Sequence, residues 1–176
     1  MDDRLVELFA GNPDSGAMLF CADVLRKEDA VIKPYLSHLF IMDGYVWGTS
    51  GTTIRRAKLS GDYEDGLYRV FRKDKKGSVI IYLAEDESAF SYPHTSEIFV
   101  YPEPPLGQIT VTEAYWHAHA EIVQLLSARR TFDASMLKGA QGVYDLLYKD
   151  QLIILDNGEF SIAIAPMTTQ QPLPGM

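Results

Sequence analysis

Short apolar runs separated by turn residues make up most of this chain, a rhythm that predicts strands more often than helices. Residues 36–42 and 45–49 are two such runs joined by Asp43-Gly44, and residues 152–155 and 160–165 are joined by Asp156-Asn157-Gly158-Glu159. Both connections carry residues that accept the positive φ of a tight hairpin turn. Residues 67–71, 78–83, 98–101 and 146–148 are further strand candidates. The clearest helix spans 112–130, where Tyr115, His119, Ile122 and Leu126 follow helical spacing with Trp116 and Val123 beside them. Thr112 is its expected cap, and Arg129 and Arg130 sit at its negative end. Residues 133–142 predict another short helix.

The N-terminal pattern predicts one or two helical turns over residues 5–9, ended by Gly11-Asn12-Pro13-Asp14-Ser15-Gly16, with no core before Ala17. A short strand at 18–21 and a short helix at 22–30 follow, stopped by Pro34. Pro102-Glu103-Pro104-Pro105 reads as a stiff connector between two halves, and 170–176 as a tail without structure.

With 176 residues, 47% hydrophobic and 23% charged, the chain has the material for one domain, able to bury about 70% of its unfolded surface without disulfides or metal. Its single cysteine, Cys21, excludes an internal disulfide and any multi-cysteine metal site. The first twenty residues hold neither a secretory signal nor a spanning helix, so a soluble, cytoplasmic protein is expected. A net charge of -8 argues against binding nucleic acid or an anionic membrane through the whole surface. Eight of the sixteen Lys and Arg nevertheless fall between Arg55 and Lys76, and the Arg72-Lys73-Asp74-Lys75-Lys76 run reads first as a solvated turn.

Catalytic chemistry finds little support. His117 and His119 lie two apart on a helix and point in different directions, so they do not chelate as an i, i+4 pair would. His119 is expected part-buried and His117 in solvent; neither His38 nor His94 has a ligand-spaced partner. Asp14-Ser15-Gly16 and Thr49-Ser50-Gly51 lack the pattern of a nucleophile turn, and Cys21 reads as a buried, inert thiol in a strand. Gly48-Thr49-Ser50-Gly51-Thr52-Thr53 reads as an ordinary turn before a phosphate cradle. Glu85-Asp86-Glu87 is the best remaining cation candidate, although consecutive carboxylates alternate in direction along a strand. The aromatics Tyr45, Trp47, Tyr63, Tyr68, Phe71 and Tyr82 read as core or cross-strand pairs before base-stacking groups; Tyr115 and Trp116 are candidates for a protein interface.

The chain also repeats itself. Phe20-Cys21-Ala22-Asp23-Val24-Leu25-Arg26 and Phe132-Asp133-Ala134-Ser135-Met136-Leu137-Lys138 share F-x-A-x-x-L and a basic residue, and two strands around a turn follow each. Neither unit can bury the apolar side of its own small sheet, so pairing the two makes one core. In this respect, and in residues 35–51, Arg55-Arg56-Ala57 and Ile162-Ala163-Ile164-Ala165-Pro166-Met167, about half of the chain resembles the DNA sliding clamp family, bacterial β clamps and their phage or prophage relatives above all.

The resemblance implies an α+β, DNA clamp-like fold in which two pseudo-repeated strand-helix-strand-strand units form one domain. The expected layout is an N-terminal segment 1–16, a domain at 17–167 with halves 17–101 and 109–167, and a disordered tail 168–176. It further implies a non-catalytic, self-associating DNA-replication accessory or processivity protein without metal or cofactor, whose partners are double-stranded DNA and replication proteins and not a membrane. A three-domain clamp chain closes a ring with fewer copies than this single domain would need, and 112–130 reads as an enlargement of the middle. Arg26, Lys27, Arg55, Arg56 and Lys138 are the residues expected to face DNA, although Asp23, Glu28, Asp29 and Asp133 lie among them. Leu5-Val6-Glu7-Leu8-Phe9 resembles the peptide ending in Leu-Phe by which replication proteins dock on a clamp. Two alternatives stand beside this reading: an oligomeric structural or protein-interaction module that keeps the fold without DNA, and a carboxylate-metal hydrolase.

Overall fold

Between Thr53 and Lys58 the side chains of Thr53, Arg55 and Ala57 are buried on one side of the backbone, while Ile54 and Arg56 pack on the other, so this strand belongs to a sheet covered on both faces. The computed structural model describes residues 5–26, 34–83, 96–100, 104–127 and 130–168. In chain order the elements are β1 (Leu5–Leu8), α1 (Pro13–Ala22), β2 (His38–Met42), β3 (Tyr45–Thr49), β4 (Thr53–Lys58), β5 (Gly66–Lys73) and β6 (Val79–Leu83). They continue as β7 (Gly107–Val111), α2 (Tyr115–Leu125), β8 (Arg130–Thr131), β9 (Gly142–Lys149), β10 (Leu152–Asp156), β11 (Phe160–Ile164) and β12 (Met167–Thr168).

Ten strands form one antiparallel sheet in the order β1-β6-β5-β2-β3-β4-β11-β10-β9-β7, and β12 pairs with β8 apart from it. Both helices lie on one face. There Leu39, Ile41, Val46 and Ala57 from the first half meet Ile153, Leu155, Ile162 and Ile164 from the second, under Met18, Cys21, Ile122 and Leu137. A smaller cluster covers the opposite face, with Trp47, Leu67, Leu147, Ile154 and Ala163 around Phe99 from a 3-10 turn at Ser96–Phe99.

The two halves meet where β4 pairs with β11, with Arg55 opposite Ile162 at the middle of the register. From this seam β11-β10-β9-β7 runs one way and β4-β3-β2 the other, so β7-α2-β9-β10-β11 repeats β1-α1-β2-β3-β4. The α+β, internally duplicated fold is therefore present, but its equivalences differ from those of the sequence match. Phe20 lies inside α1, whereas Phe132 follows β8 and precedes a 3-10 turn at Ala134–Leu137. The true counterpart of α1 is α2, which is thus part of the repeat and not an enlargement of the middle. Three apolar positions in seven residues are too generic to set register between two elements of different type. Within the ten-stranded sheet, the addition to the repeat among the described residues is the β5–β6 hairpin, which sits between β1 and β2.

Other departures have local causes. Residues 5–8 form an edge strand paired with β6 and not helical turns, and the fold begins before residue 17, with Leu8, Asp14 and Ser15 buried. The Gly-Asn-Pro-Asp segment read as a breaker is a helix start. Asn12 is the N-cap, its side chain accepting from the Asp14 N–H at 2.9 Å, and Pro13 occupies the first turn, where its missing donor costs nothing. Cys21 is consequently helical and not in a strand. The long helix is trimmed to Tyr115–Leu125, because β7 extends to Val111 and Ser127 takes a left-handed φ of 59° at the far end. Thr112 therefore caps nothing, the N-cap being Ala114 without a side-chain bond, and Arg130 lies in β8. Ile98 and Phe99 belong to a 3-10 turn and not a strand. The expectations for 27–33, 84–95, 101–103, 128–129 and 169–176, Glu85-Asp86-Glu87, His94 and Arg129 among them, fall outside the described residues.

Two contacts fix α1 on the sheet. Gly48 lets β3 approach so closely that a Cβ there would sit 2.3 Å from the Cys21 carbonyl oxygen. At the other end the Asp14 carboxylate accepts from Ser60 N–H (2.7 Å), Gly61 N–H (2.8 Å) and the Tyr63 hydroxyl (2.7 Å), tying the first turn to the β4–β5 loop. Burial alone would raise the Asp14 pKa, but the bonds from Ser60, Tyr63 and Gly61 outweigh it and hold the carboxyl below the usual carboxylate value of 3.8. We expect Gly48→Ala to cost about 1–3 kcal/mol, seen as a lower urea midpoint; an unchanged midpoint would place α1 farther from β3. Because the folded pKa of Asp14 is depressed, its contribution is complete above about pH 4 and is lost as the pH falls through the folded value. Asp14→Asn should thus destabilise at pH 7 by about 1–3 kcal/mol, with a difference from wild type that shrinks on acidification, measurable by urea titrations between pH 7 and 3.

Candidate nucleic-acid interface

A helical face that contacts DNA needs cations within reach of phosphates, and here the helices supply none. Neither α1 nor α2 contains a Lys or Arg. Besides Trp116 and His117, α2 exposes Ala120, Glu121, Gln124 and Leu125. Trp116 is 55% exposed, stacked edge-on against Tyr115 at 5.4 Å, while Tyr115 itself is half-buried. Of the two interface candidates, Trp116 therefore presents its ring to solvent, and Tyr115 supports it from the core side.

The cations lie at the margins of this face. Arg26, just beyond α1, and Lys138, just beyond the 3-10 turn at Ala134–Leu137, are both exposed. They line a cavity of about 730 Å³ between the halves, together with Asp23, Glu113 and Asp133. Its rim thus carries charges of both signs. Lys27 lies outside the described residues.

Arg55 does not face DNA. It is 1% exposed and forms part of the core instead of facing a ligand in solution. Its guanidinium donates from Nη1 to the Phe20 carbonyl (3.0 Å) and from Nη2 to the Met136 (2.9 Å) and Lys138 (2.8 Å) carbonyls, and it stacks 4.9 Å from the Phe20 ring centre. Burial pulls its pKa down, and the nearby Cys21, Asp23 and Tyr144 oppose that. Arg56, one residue on, points to the opposite face of the sheet. There its guanidinium packs over Tyr45 (4.5 Å), Phe99 (4.6 Å) and Trp47 (5.4 Å), so it too is removed from the helical face. Strand alternation made this split unavoidable: adjacent residues of β4 cannot share a face.

The remaining candidates resolve into structural roles. His119 Nε2 bonds the Phe132 carbonyl at 2.7 Å while His117 is exposed, and His38 is buried beside the Ser37 hydroxyl. The Cys21 thiol is buried, donates to the Val46 carbonyl at 3.4 Å, and has its pKa pushed far up by that burial. In the 48–53 turn the Gly51 N–H donates to Thr49 Oγ1 and the Thr53 N–H to Ser50 Oγ, so these donors are spent inside the turn. No group of three or more metal-ligating side chains occurs among the described residues, and no helix there is long and apolar enough to cross a membrane. The sequence marks Asp23 only as an acid among the expected cations; its carboxylate reaches Lys73 of the β5–β6 hairpin at 3.7 Å, at the end of α1. No local signal marks a pair fifty residues apart.

No family model matches the chain, and no curated protein matches it in sequence. Solved structures do. The DNA polymerase III subunit beta of Borrelia burgdorferi superposes with a TM-score of 0.57 over 97% of this chain and 65% of its own, at 11% identity. That of Thermotoga maritima does so with a TM-score of 0.51 over 96% and 65%, at 10% identity. The chain has a sliding-clamp fold. It spans just under two-thirds of the length of these two clamps, and at such identity the likeness is one of fold.

Within this clamp fold, cations of the core and cations of the rim respond differently to substitution. Arg55→Lys keeps a charge but loses the fork that reaches three carbonyls, and is expected to destabilise by about 3 kcal/mol or more. Arg26→Ala and Lys138→Ala should stay within about 0.5 kcal/mol of wild type. Thermal melts of the three variants check this, and an unaltered melt for Arg55→Lys would contradict the core role.

Proposed function

We propose that the protein is a non-catalytic DNA-replication accessory of the processivity type, working in the cytoplasm, whose copies join through their sheets to enclose double-stranded DNA. The observation that carries this reading is the clamp-fold sheet with an end strand on each side, β1 and β7, whose outer edge has no neighbouring strand among the described residues. An open edge is a template for another strand, and joining the β1 edge of one copy to the β7 edge of the next is a head-to-tail contact that closes into a ring when the rotation allows. A single domain needs several copies to do so. Arg26, Lys27 and Lys138 would then supply the DNA-facing charge, Trp116 with Tyr115 a protein-facing surface, and a replication protein would be the second partner.

One observation favours a second reading, an oligomeric interaction module that does not touch DNA: the absence of Lys and Arg from both helices. Both readings share self-association, and topology separates them. A closed ring should stay on nicked circular DNA and slide off once the circle is cut, in a salt-tolerant manner, whereas surface binding survives linearisation. Native mass spectrometry should give a multimer, reduced to smaller species by Gln108→Lys with Thr110→Lys, two exposed positions on the β7 edge. A monomer at tens of micromolar would overturn both readings; a multimer without retention on the circle would leave the module.

A further inference from the structure

Among the described residues, the β5–β6 hairpin is the part of the ten-stranded sheet that the internal repeat does not account for, and it holds the strongest local charge in the chain. Between Arg69 and Lys76 there are five Lys or Arg and one Asp, in a protein of net charge -8. The single acid is committed to the turn: the Asp74 carboxylate accepts from the Lys76 N–H (2.9 Å) and the Ser78 N–H (3.0 Å), while Gly77 takes a φ of 97° that an L side chain resists. The turn is therefore shaped from within, and Lys75 and Lys76 are displayed at its tip.

The hairpin is also held against the body of the protein. The Ala10 N–H donates to the Ser78 hydroxyl at 3.3 Å, and Lys73 pairs with Asp23 at the end of α1. At its stem the β5–β6 register slips from Val70↔Ile81 to Arg72↔Ile80, leaving Phe71 as a bulge residue without a cross-strand partner. Bulges re-aim side chains. This one leaves the Phe71 ring 75% exposed, directly before the exposed cations Arg72 and Lys73.

An exposed aromatic ring beside several cations on a hairpin matches what an unpaired nucleic-acid strand requires, a stacking platform next to an electropositive track. A membrane surface would call instead for a broad apolar face, and Phe71 with the exposed Leu5 and Phe9 at either end of the adjoining β1 supplies only scattered apolar side chains. We propose that the β5–β6 hairpin is a preformed single-strand DNA contact, in which Arg72, Lys75 and Lys76 hold backbone phosphates and Phe71 stacks on a base. The assignment rests on the replication reading and adds to it a contact outside the helical face, suited to the single-stranded stretch next to a duplex.

The test is equilibrium binding of the full-length protein to fluorescent single-stranded and duplex oligonucleotides across a salt series, with melting curves as a control of folding. Phe71→Ala should weaken single-strand binding roughly ten-fold and leave duplex binding within about two-fold. Arg72→Gln, Lys75→Gln and Lys76→Gln together should flatten the single-strand salt slope by about 2, three phosphate contacts at about 0.7 each. Lys75→Gln with Lys76→Gln, which alters the tip and no strand residue, should flatten it by about 1.4 and so separates lost contacts from a lost hairpin. If wild type binds no DNA, the replication reading fails and the hairpin assignment with it. If wild type binds and these variants match it while Arg26→Ala with Lys138→Ala does not, the hairpin assignment alone fails. Equal binding to phosphatidylserine vesicles, lost in the same variants, would assign the hairpin to membranes and overturn the proposal.

Discussion

Taking an arginine out of water costs several kcal/mol unless its donors are met, and the two terminal nitrogens of Arg55 donate to three backbone carbonyls, while its Nε–H is buried without a partner. One carbonyl belongs to Phe20 in α1, the other two to Met136 and Lys138 in the second half. The strand carrying Arg55 is also the one whose pairing with β11 joins the halves. The same residue thus sits at the centre of the sheet seam and ties the covering layers across it. A hydrophobic side chain could fill the space, but only a planar fork of donors reaches carbonyls from both halves, so the relative placement of the two repeats depends on polar geometry as well as on apolar area.

This use of a cation has a consequence for function. A pair of adjacent arginines looks like a basic patch, yet one is spent in the core and the other under the aromatics of the opposite face. Of the cations expected to face DNA, the described residues leave Arg26 and Lys138 on the helical side, among carboxylates and against a net charge of -8. The clamp fold supplies the shape and, among the described residues, an open edge at each end of the sheet, whereas the densest run of cations lies on the β5–β6 hairpin. Shape and charge, which act together in a positively lined ring, are here carried by different parts of the molecule.

Some of this was legible in residue order. The Asp43-Gly44 and Asn157-Gly158 turns marked real hairpins, because positive φ is a local demand that few dipeptides meet: Asp43 has a φ of 53°, Gly44 80° and Gly158 92°. The duplication and the clamp-like class were visible for the same reason, since both rest on the succession of such elements. The start of α1 was misread although Asn12 and Pro13 announce a helix as much as a turn; the choice between them was made by the tie from Asp14 to the 60–63 loop, almost fifty residues away. The apolar pattern of residues 5–9 suggests helical turns, yet residues 5–8 are a strand, because their conformation is set by pairing with β6.

What the sequence determined by itself was therefore whatever a few neighbouring residues decide through their own backbone preferences: tight turns and the alternation of faces along a strand. The tertiary structure alone decided which elements are equivalent in the repeat, which cations are buried, and where the charged hairpin lies relative to α1. Those outcomes depend on contacts between segments dozens of residues apart, and their energies come from desolvation and packing that no local pattern contains.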